Sequence, residues 1–229
     1  MKQLYIVATP IGNLEDITYR AVRILHDVDI ILAEDTRVTK KLLQHYDIDT
    51  RVISYNEHSG PEKVVSIIDD LEKGITMALV SDAGTPGVAD PGSRLIDEIY
   101  SYHPDIQVTP LPGASAVTTL ISVAGCIGNS FSFLGFVPHK KGRQTFFENL
   151  VDIEQPVVFF ESPHRIMKTL DSLDTYLDDN WHIVVGRELT KMHEEIVRGN
   201  PSEVHQYYNT HPEFQRGEFA LVVAPRKKS

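Results

Sequence analysis

The stretch MALVSDAGTPGVADPG, residues 77–92, sets an apolar run against a segment that can be neither helix nor strand. Met77-Ala78-Leu79-Val80 is apolar at every position, as a strand buried on both faces must be. The twelve residues that follow hold three glycines, two prolines and two aspartates, which break both kinds of regular structure. A turn needs only two or three such residues. A loop this long at the end of a buried parallel strand is where an open α/β sheet binds a ligand. Gly84 and Gly87 would let a ligand approach the backbone, and Asp82 can accept hydrogen bonds from an amine or hydroxyl. Taken alone, Asp82 could equally cap a turn.

Working outward, short β-branched runs alternate with helical periodicity. The pattern predicts strands at Leu4–Ala8, Asp29–Ala33, Arg51–Ser54, Thr76–Val80 and Ile106–Thr109. Between them it predicts helices at Ile17–Val28, Val38–Tyr46 (capped by Thr36) and Pro61–Glu72, and one reaching Tyr100 that Asp90 caps and Pro91 opens. Strand–helix alternation of this kind indicates a mainly parallel sheet. Pro110-Leu111-Pro112-Gly113 then breaks the chain, dividing it into residues 1–111 and 112–229. The second part predicts a helix at Ala114–Ala124, an aromatic strand at Phe131–Phe136, a helix ending at Leu150 and a strand at Val157–Glu161. A helix to Tyr176 follows, with Ser162 as cap and Pro163 at its first position. Strands at His182–Arg187, Glu195–Arg198 and Phe219–Val223 complete a mixed α/β domain.

Four polar loops follow strands of the first half: 9–16, 34–41, 55–60 and 81–92. Neither glycine loop is a nucleotide motif: TPIGN is not GxGxxG, and AGTPG has no P-loop lysine. The histidines show no metal-ligand spacing, so no metal is expected. Arg37, and His164 with Arg165, sit near helix starts, where a cation opposes the helix dipole and calls for another partner. The net charge of −10 argues against non-specific coating of nucleic acid, but RVTKK (37–41) and HKKGR (139–143) are local basic runs. No apolar run is long enough to span a bilayer, no signal-peptide pattern opens the chain, and the single Cys126 cannot form an internal disulfide. Together these point to a cytoplasmic protein with an inert buried thiol.

Nine segments recur in this order in one family: TPIGNLEDIT, AEDTRVTKKLL, YNEHS, SDAGTPGVADPG, LPGASA, FLGFVPHKKGRQ, ESPHR, RELTKMHEE and GEFALVV. The chain resembles the rRNA-modifying branch of the tetrapyrrole methylase superfamily, whose members methylate the ribose 2′-oxygen of a cytidine in the decoding region of 16S rRNA. The resemblance covers essentially the whole chain. It implies a two-domain α/β fold with S-adenosylmethionine between the domains, a homodimer, and the small subunit or its 16S rRNA as partner. Carried over by position, Thr9, Pro10 and Gly12, then Asp82, Ala83, Gly84 and Thr85, then Ser115 and Ala116 would lie beside the donor. Phe160, Glu161, Ala220 and Leu221 would lie near its adenine. Glu34 and Asp35 are candidate bases for the 2′-hydroxyl. Arg37, Lys40, His58, Lys140, Lys141, Arg143, Arg165 and Arg187 are candidates for RNA contact. Cobalamin-pathway members of the superfamily usually open with a GxGxGD-like loop, whereas here it is TPIGN, which fits the RNA-modifying branch. A small-tetrapyrrole methyltransferase and a non-catalytic rRNA-binding or assembly factor are the alternatives.

Overall fold

The structure is a computed structural model that describes residues 2–89 and 92–226. It divides into two compact units, Met1–Ser115 and Ala116–Ser229.

The first unit is one parallel sheet with helices on both faces. Its elements are β1 (Gln3–Val7), α1 (Tyr19–Asp27), β2 (Ile30–Ala33), α2 (Thr36–His45), β3 (Arg51–Ser54), α3 (Pro61–Glu72), β4 (Met77–Val80), α4 (Ser93–Tyr102) and β5 (Gln107–Leu111). The strand order is β3-β2-β4-β1-β5. Alternation along each strand sorts the core into two layers. Leu4, Ile6, Leu32, Met77 and Leu79 pack with α3 and α4. Val7, Ile31, Ala33, Ala78 and Val80 pack with α1 and α2. Val64, Ile67, Ile68 and Leu71 of α3 are all buried, each stabilising the layer by about 1.5–3 kcal/mol.

Two expected details of this unit change. Asp35, not Thr36, caps α2, because its carboxylate accepts the Arg37 N–H at 2.8 Å. The break at Pro110 does not end the fifth strand, since β5 runs through Pro110 to Leu111. β5 is an edge strand, the one place in a sheet where a missing N–H costs no ladder bond. The expected cap Asp90 and the helix-opening Pro91 lie outside the described residues, as do the basic Lys227 and Lys228.

The second unit comprises α5 (Ala116–Ala124), β6 (Ser132–Phe136), α6 (Arg143–Leu150), β7 (Val157–Glu161), α7 (Ile166–Tyr176), β8 (Trp181–Arg187), β9 (Glu195–Gly199), α8 (Pro201–Thr210) and β10 (Phe219–Pro225). Its sheet order is β6-β7-β10-β8-β9, with β6 and β7 parallel and the rest antiparallel. One face of this sheet buries Val157, Phe159, Ile183, Val185 and Leu221 under α6, α7 and α8. Ser162 does not cap α7. Residues 162–165 form a turn, and the helix starts at Ile166. The helix α8, which sequence reading missed, starts with a reciprocal capping box between Asn200 and Glu203, with Pro201 at its first position. Cys126 is half-buried, not buried, and burial pushes its thiol pKa up. Among the described residues no helix is long and apolar enough to cross a membrane.

Candidate functional site

The strand order fixes where a ligand can enter the first unit. β1 and β4 are neighbours, but β1 leads into α1 on one face and β4 into α4 on the other. Their loops leave towards opposite faces of the sheet, which makes the carboxyl ends of β1 and β4 the switch point where open α/β sheets form a ligand crevice.

The two loops are tied at that point. Thr9 and Gly84 exchange backbone hydrogen bonds, Thr9 N–H to Gly84 O at 2.9 Å and Gly84 N–H to Thr9 O at 3.0 Å. The buried Thr9 hydroxyl donates to Ser81 O at 3.0 Å, and the Ser81 hydroxyl donates to Gly84 O at 3.1 Å. The chain after β5 joins them, since Thr85 Oγ1 donates to Ala114 O at 3.1 Å. Gly84 has φ +84° and Gly87 +86°, a region that side chains disfavour. Gly113 passes so close to β1 that a Cβ there would stand 2.7 Å from the Ala8 Cβ. The structure thus brings together Thr9, Pro10, Gly12, Asp82, Ala83, Gly84, Thr85 and Ser115 around one sheet edge. Ser81 belongs to this group and was overlooked; its signal was a hydroxyl directly at the end of an otherwise apolar strand.

The charged loop after β2 leans on the same cluster. Asp82 Oδ1 accepts the Asp35 N–H at 2.9 Å, a contact between two loops and not the cap of its own turn, and its side chain remains exposed. Asp35 is committed elsewhere. It accepts Arg37 Nη2 at 2.6 Å and Nε at 3.0 Å, which answers the misplaced cation at this helix start. The Arg37 guanidinium, helped by its backbone N–H, holds the Asp35 carboxyl at about 2. Arg37 itself remains 87% exposed. Glu34 is half-buried at the mouth of β2, while Lys40 and His58 are exposed. A groove of about 630 Å³ along the end of α2 and the start of β3, lined by Lys40, Gln44, Asp47 and Arg51 among others, lies at the opposite end of β3 from these loops.

In the second unit the expected residues separate. Ala116 opens α5. Phe160 and Ala220 are cross-strand partners, and Ala220 also faces Gly186. Leu221 is fully buried in the core, with its backbone paired on both sides, so it cannot line a ligand site. Glu161 is likewise enclosed: its side chain is 0% exposed, between Arg143 at 7% and Arg165 at 14%. Arg143 and Arg165 therefore serve a buried network instead of facing RNA. Arg187, expected at the RNA, has a 9% exposed side chain. Its Nε donates to Glu195 at 3.2 Å and its guanidinium lies 4.9 Å from the Phe214 ring centre. The same glutamate takes the Tyr207 hydroxyl at 2.7 Å, and burial with this contact pushes that phenol up to about 12. Lys140 and Lys141 are exposed. Thr169, which bridges Glu161 and Arg143, was also overlooked; its signal was a hydroxyl on the apolar stripe of Ile166, Leu170 and Leu173.

Residues 3–205 match the model of the tetrapyrrole (corrin/porphyrin) methylases. The chain belongs to this family. Among curated members similar to it, the ribosomal RNA small subunit methyltransferase I of Halalkalibacterium halodurans is 46% identical, over 96% of this chain and 75% of that protein. The protein of the same name from Bacillus subtilis is 44% identical, over 96% and 74%. Solved tetrapyrrole methylase-like structures share the fold at much lower identity. A diphthine synthase superposes with a TM-score of 0.73 at 15% identity, covering 97% of this chain and 90% of its own. A cobalt precorrin-4 methyltransferase gives 0.68 at 16%, covering 96% and 94%.

Tetrapyrrole methylases take their methyl group from S-adenosylmethionine. The first unit fits such a donor on its own geometry. The crevice between β1 and β4 is edged by backbone with no side chain at Gly84 and Gly87, and by the exposed carboxylate of Asp82, which suits an ammonium or ribose hydroxyl. Among the described residues no group of His, Cys, Asp and Glu could hold a metal ion.

Proposed function

We propose that this chain is an S-adenosylmethionine-dependent methyltransferase of small-subunit rRNA, acting on the ribose 2′-hydroxyl of a cytidine in the decoding region of 16S rRNA. One observation carries the reading: relatives named ribosomal RNA small subunit methyltransferase I align at 40–46% identity over 96–99% of the chain. The low-identity likeness to tetrapyrrole and diphthine enzymes speaks for the fold alone. Exposed cations beside the crevice, Arg37 and Lys40, and the pair Lys140 and Lys141 fit a polyanionic substrate better than a small one. A homodimer in the cytoplasm is part of the same reading.

The donor supplies an electrophilic methyl group on a sulfonium. The chain must bind it, bring the hydroxyl into line and accept a proton. Asp82 and the loops joined by Thr9 and Gly84 bind and orient, and alignment alone can supply much of the rate. Asp35 is a poor proton acceptor, because a carboxyl held at about 2 has little affinity for one. Its work is to cap α2 and fix Arg37. Of the two candidate bases, Glu34, half-buried at the mouth of β2, is then the one to test by substitution.

The test is incubation with methyl-labelled donor and small ribosomal subunits or their RNA, followed by nuclease mapping. Label on a cytidine 2′-oxygen is expected. Label on a base, on a tetrapyrrole offered in parallel, or on nothing would overturn the reading.

A further inference from the structure

Glu161 makes four contacts, and the two to arginines lead to one loop. Its Oε1 accepts the Ser162 N–H and Arg165 Nη2, both at 2.7 Å. Its Oε2 accepts Thr169 Oγ1 at 2.6 Å and Arg143 Nη1 at 3.2 Å. Four donors saturate a carboxylate, so this one has no capacity left for a ligand. The two arginines reach opposite ends of the segment Pro138–Gly142. Arg165 Nη1 donates to the carbonyl of Val137, immediately before it, at 3.0 Å. Arg143 follows it directly, and its Nη2 donates to Thr169 Oγ1 at 2.8 Å. Between these ends the chain turns, Arg143 N–H donating to Lys140 O at 3.3 Å, with Gly142 at φ +85°. His139, Lys140 and Lys141 point outward at the tip.

We propose that Glu161 is the positioning residue of this basic loop: one buried carboxylate holds both its ends through Arg143 and Arg165, presenting Lys140 and Lys141 in a fixed arrangement. Its use in RNA binding rests on the function proposed above; the anchoring itself does not. A buried charge is costly unless fully paired, and two guanidiniums with a single carboxylate depend on it more than it depends on either. The apparent adenine-side residue is thus a strut for the phosphate-side loop, and acts without touching substrate.

Two readouts separate the anchor from the RNA reading. Trypsin cleaves after exposed lysines only when the backbone opens, so cleavage at Lys140 and Lys141 reports how firmly the ends are held. Glu161→Gln, checked as folded by circular dichroism, should raise that cleavage rate about tenfold or more. If Glu161→Gln fails to fold, Arg165→Met decides, since it removes the guanidinium that joins Glu161 to the Val137 carbonyl. An unchanged cleavage rate in the folded variant overturns the anchor. The second readout is affinity for 16S rRNA fragments in a double-mutant cycle. Glu161→Gln should weaken binding several-fold, and Lys140→Ala with Lys141→Ala should lose most of its effect in that background, with donor affinity unchanged throughout. Strictly additive losses, or a fall in donor affinity, would sink the positioning role in binding. If the lysine pair has no effect on wild-type binding, the RNA reading of the loop fails, and the cleavage rates still decide the anchor.

Discussion

Gly84, Gly87 and Gly113 allow the geometry of the crevice to be tested one physical effect at a time. Gly84 combines a left-handed backbone with contact: φ is +84°, and a Cβ would stand 3.3 Å from Ile11 Cγ2. Gly87 has the backbone without the contact, φ +86° and no atom within 4 Å. Gly113 has the contact without the backbone, 2.7 Å from the Ala8 Cβ. A left-handed alanine costs roughly 1–2 kcal/mol, partly offset by the ~0.4–1 kcal/mol that replacing glycine removes from unfolded-chain entropy. Overpacking against a fixed neighbour costs about 1–3 kcal/mol. Gly87→Ala should therefore lose about 0–1.5 kcal/mol, Gly113→Ala about 0–2.5 kcal/mol, and Gly84→Ala, which combines both effects, about 1–4.5 kcal/mol. At roughly 2–4 °C per kcal/mol, Gly84→Ala should melt about 2–18 °C below wild type. Donor binding separates them further. Gly84→Ala displaces the backbone pair that ties the loops and should weaken S-adenosylmethionine by about tenfold, whereas Gly87→Ala should shift it by less than about threefold. Scanning calorimetry and titration calorimetry supply both numbers. If Gly84→Ala and Gly87→Ala melt and bind alike, the Thr9–Gly84 link is not what shapes the site.

Four further outcomes are expected. Glu34→Gln should lower kcat by about 10²–10⁴-fold with little change in donor affinity, measured under saturating RNA; a kcat within threefold of wild type (about 0.65 kcal/mol) would remove Glu34 as proton acceptor. The Asp35 carboxyl is lowered on folding from 3.8 to about 2, so its stabilising share is complete above about pH 4 and fades as pH falls through about 2. Asp35→Asn keeps a capping oxygen but not the charge, so it should remove that share at neutral pH and flatten the low-pH decline by the same amount, read in melts from about pH 7 down to about pH 2. Lys140→Glu with Lys141→Glu should flatten the slope of log affinity against log salt by about 1.4, at ~0.7 per phosphate contact on single strands. Thr169→Val takes one hydrogen bond from each of two buried charged groups and should cost about 3–6 kcal/mol in urea unfolding, at about 1.5–3 kcal/mol for each bond.

The parallel sheet was legible because its strands are apolar at consecutive positions and bounded by glycine, proline and capping residues. Arg51–Ser54, Pro61–Glu72 and Val157–Glu161 have the ends that the sequence predicts. Caps were less legible. Asp35 and Thr36 are adjacent and chemically equivalent as caps, and only the contact to Arg37 separates them. Ser162-Pro163 has the composition of a helix start, but Arg165 pairs back to Glu161, and the helix begins one turn later. The N-cap, proline and glutamate of Asn200-Pro201-Ser202-Glu203 were there to be read and announce α8. Depth was the least legible property. Arg37, Arg143, Arg165 and Arg187 look alike as letters, yet the first is at the surface and the others are packed against the buried Glu161 or the half-buried Glu195, because charge in a sequence carries no record of what will cover it.

The position of β1 has a consequence for synthesis. It is made before the other strands of its sheet, yet it lies between β4 and β5. Its partners start at Met77 and Gln107, so Gln3–Val7 leaves the ribosome long before anything can pair with it. At about 5–20 residues per second the second partner follows some 5–20 seconds later. For that interval the nascent chain carries an apolar strand with both edges open, the kind of segment that holdase chaperones shield. This inner strand of the methylase is thus a timing problem in translation before it is the floor of a crevice.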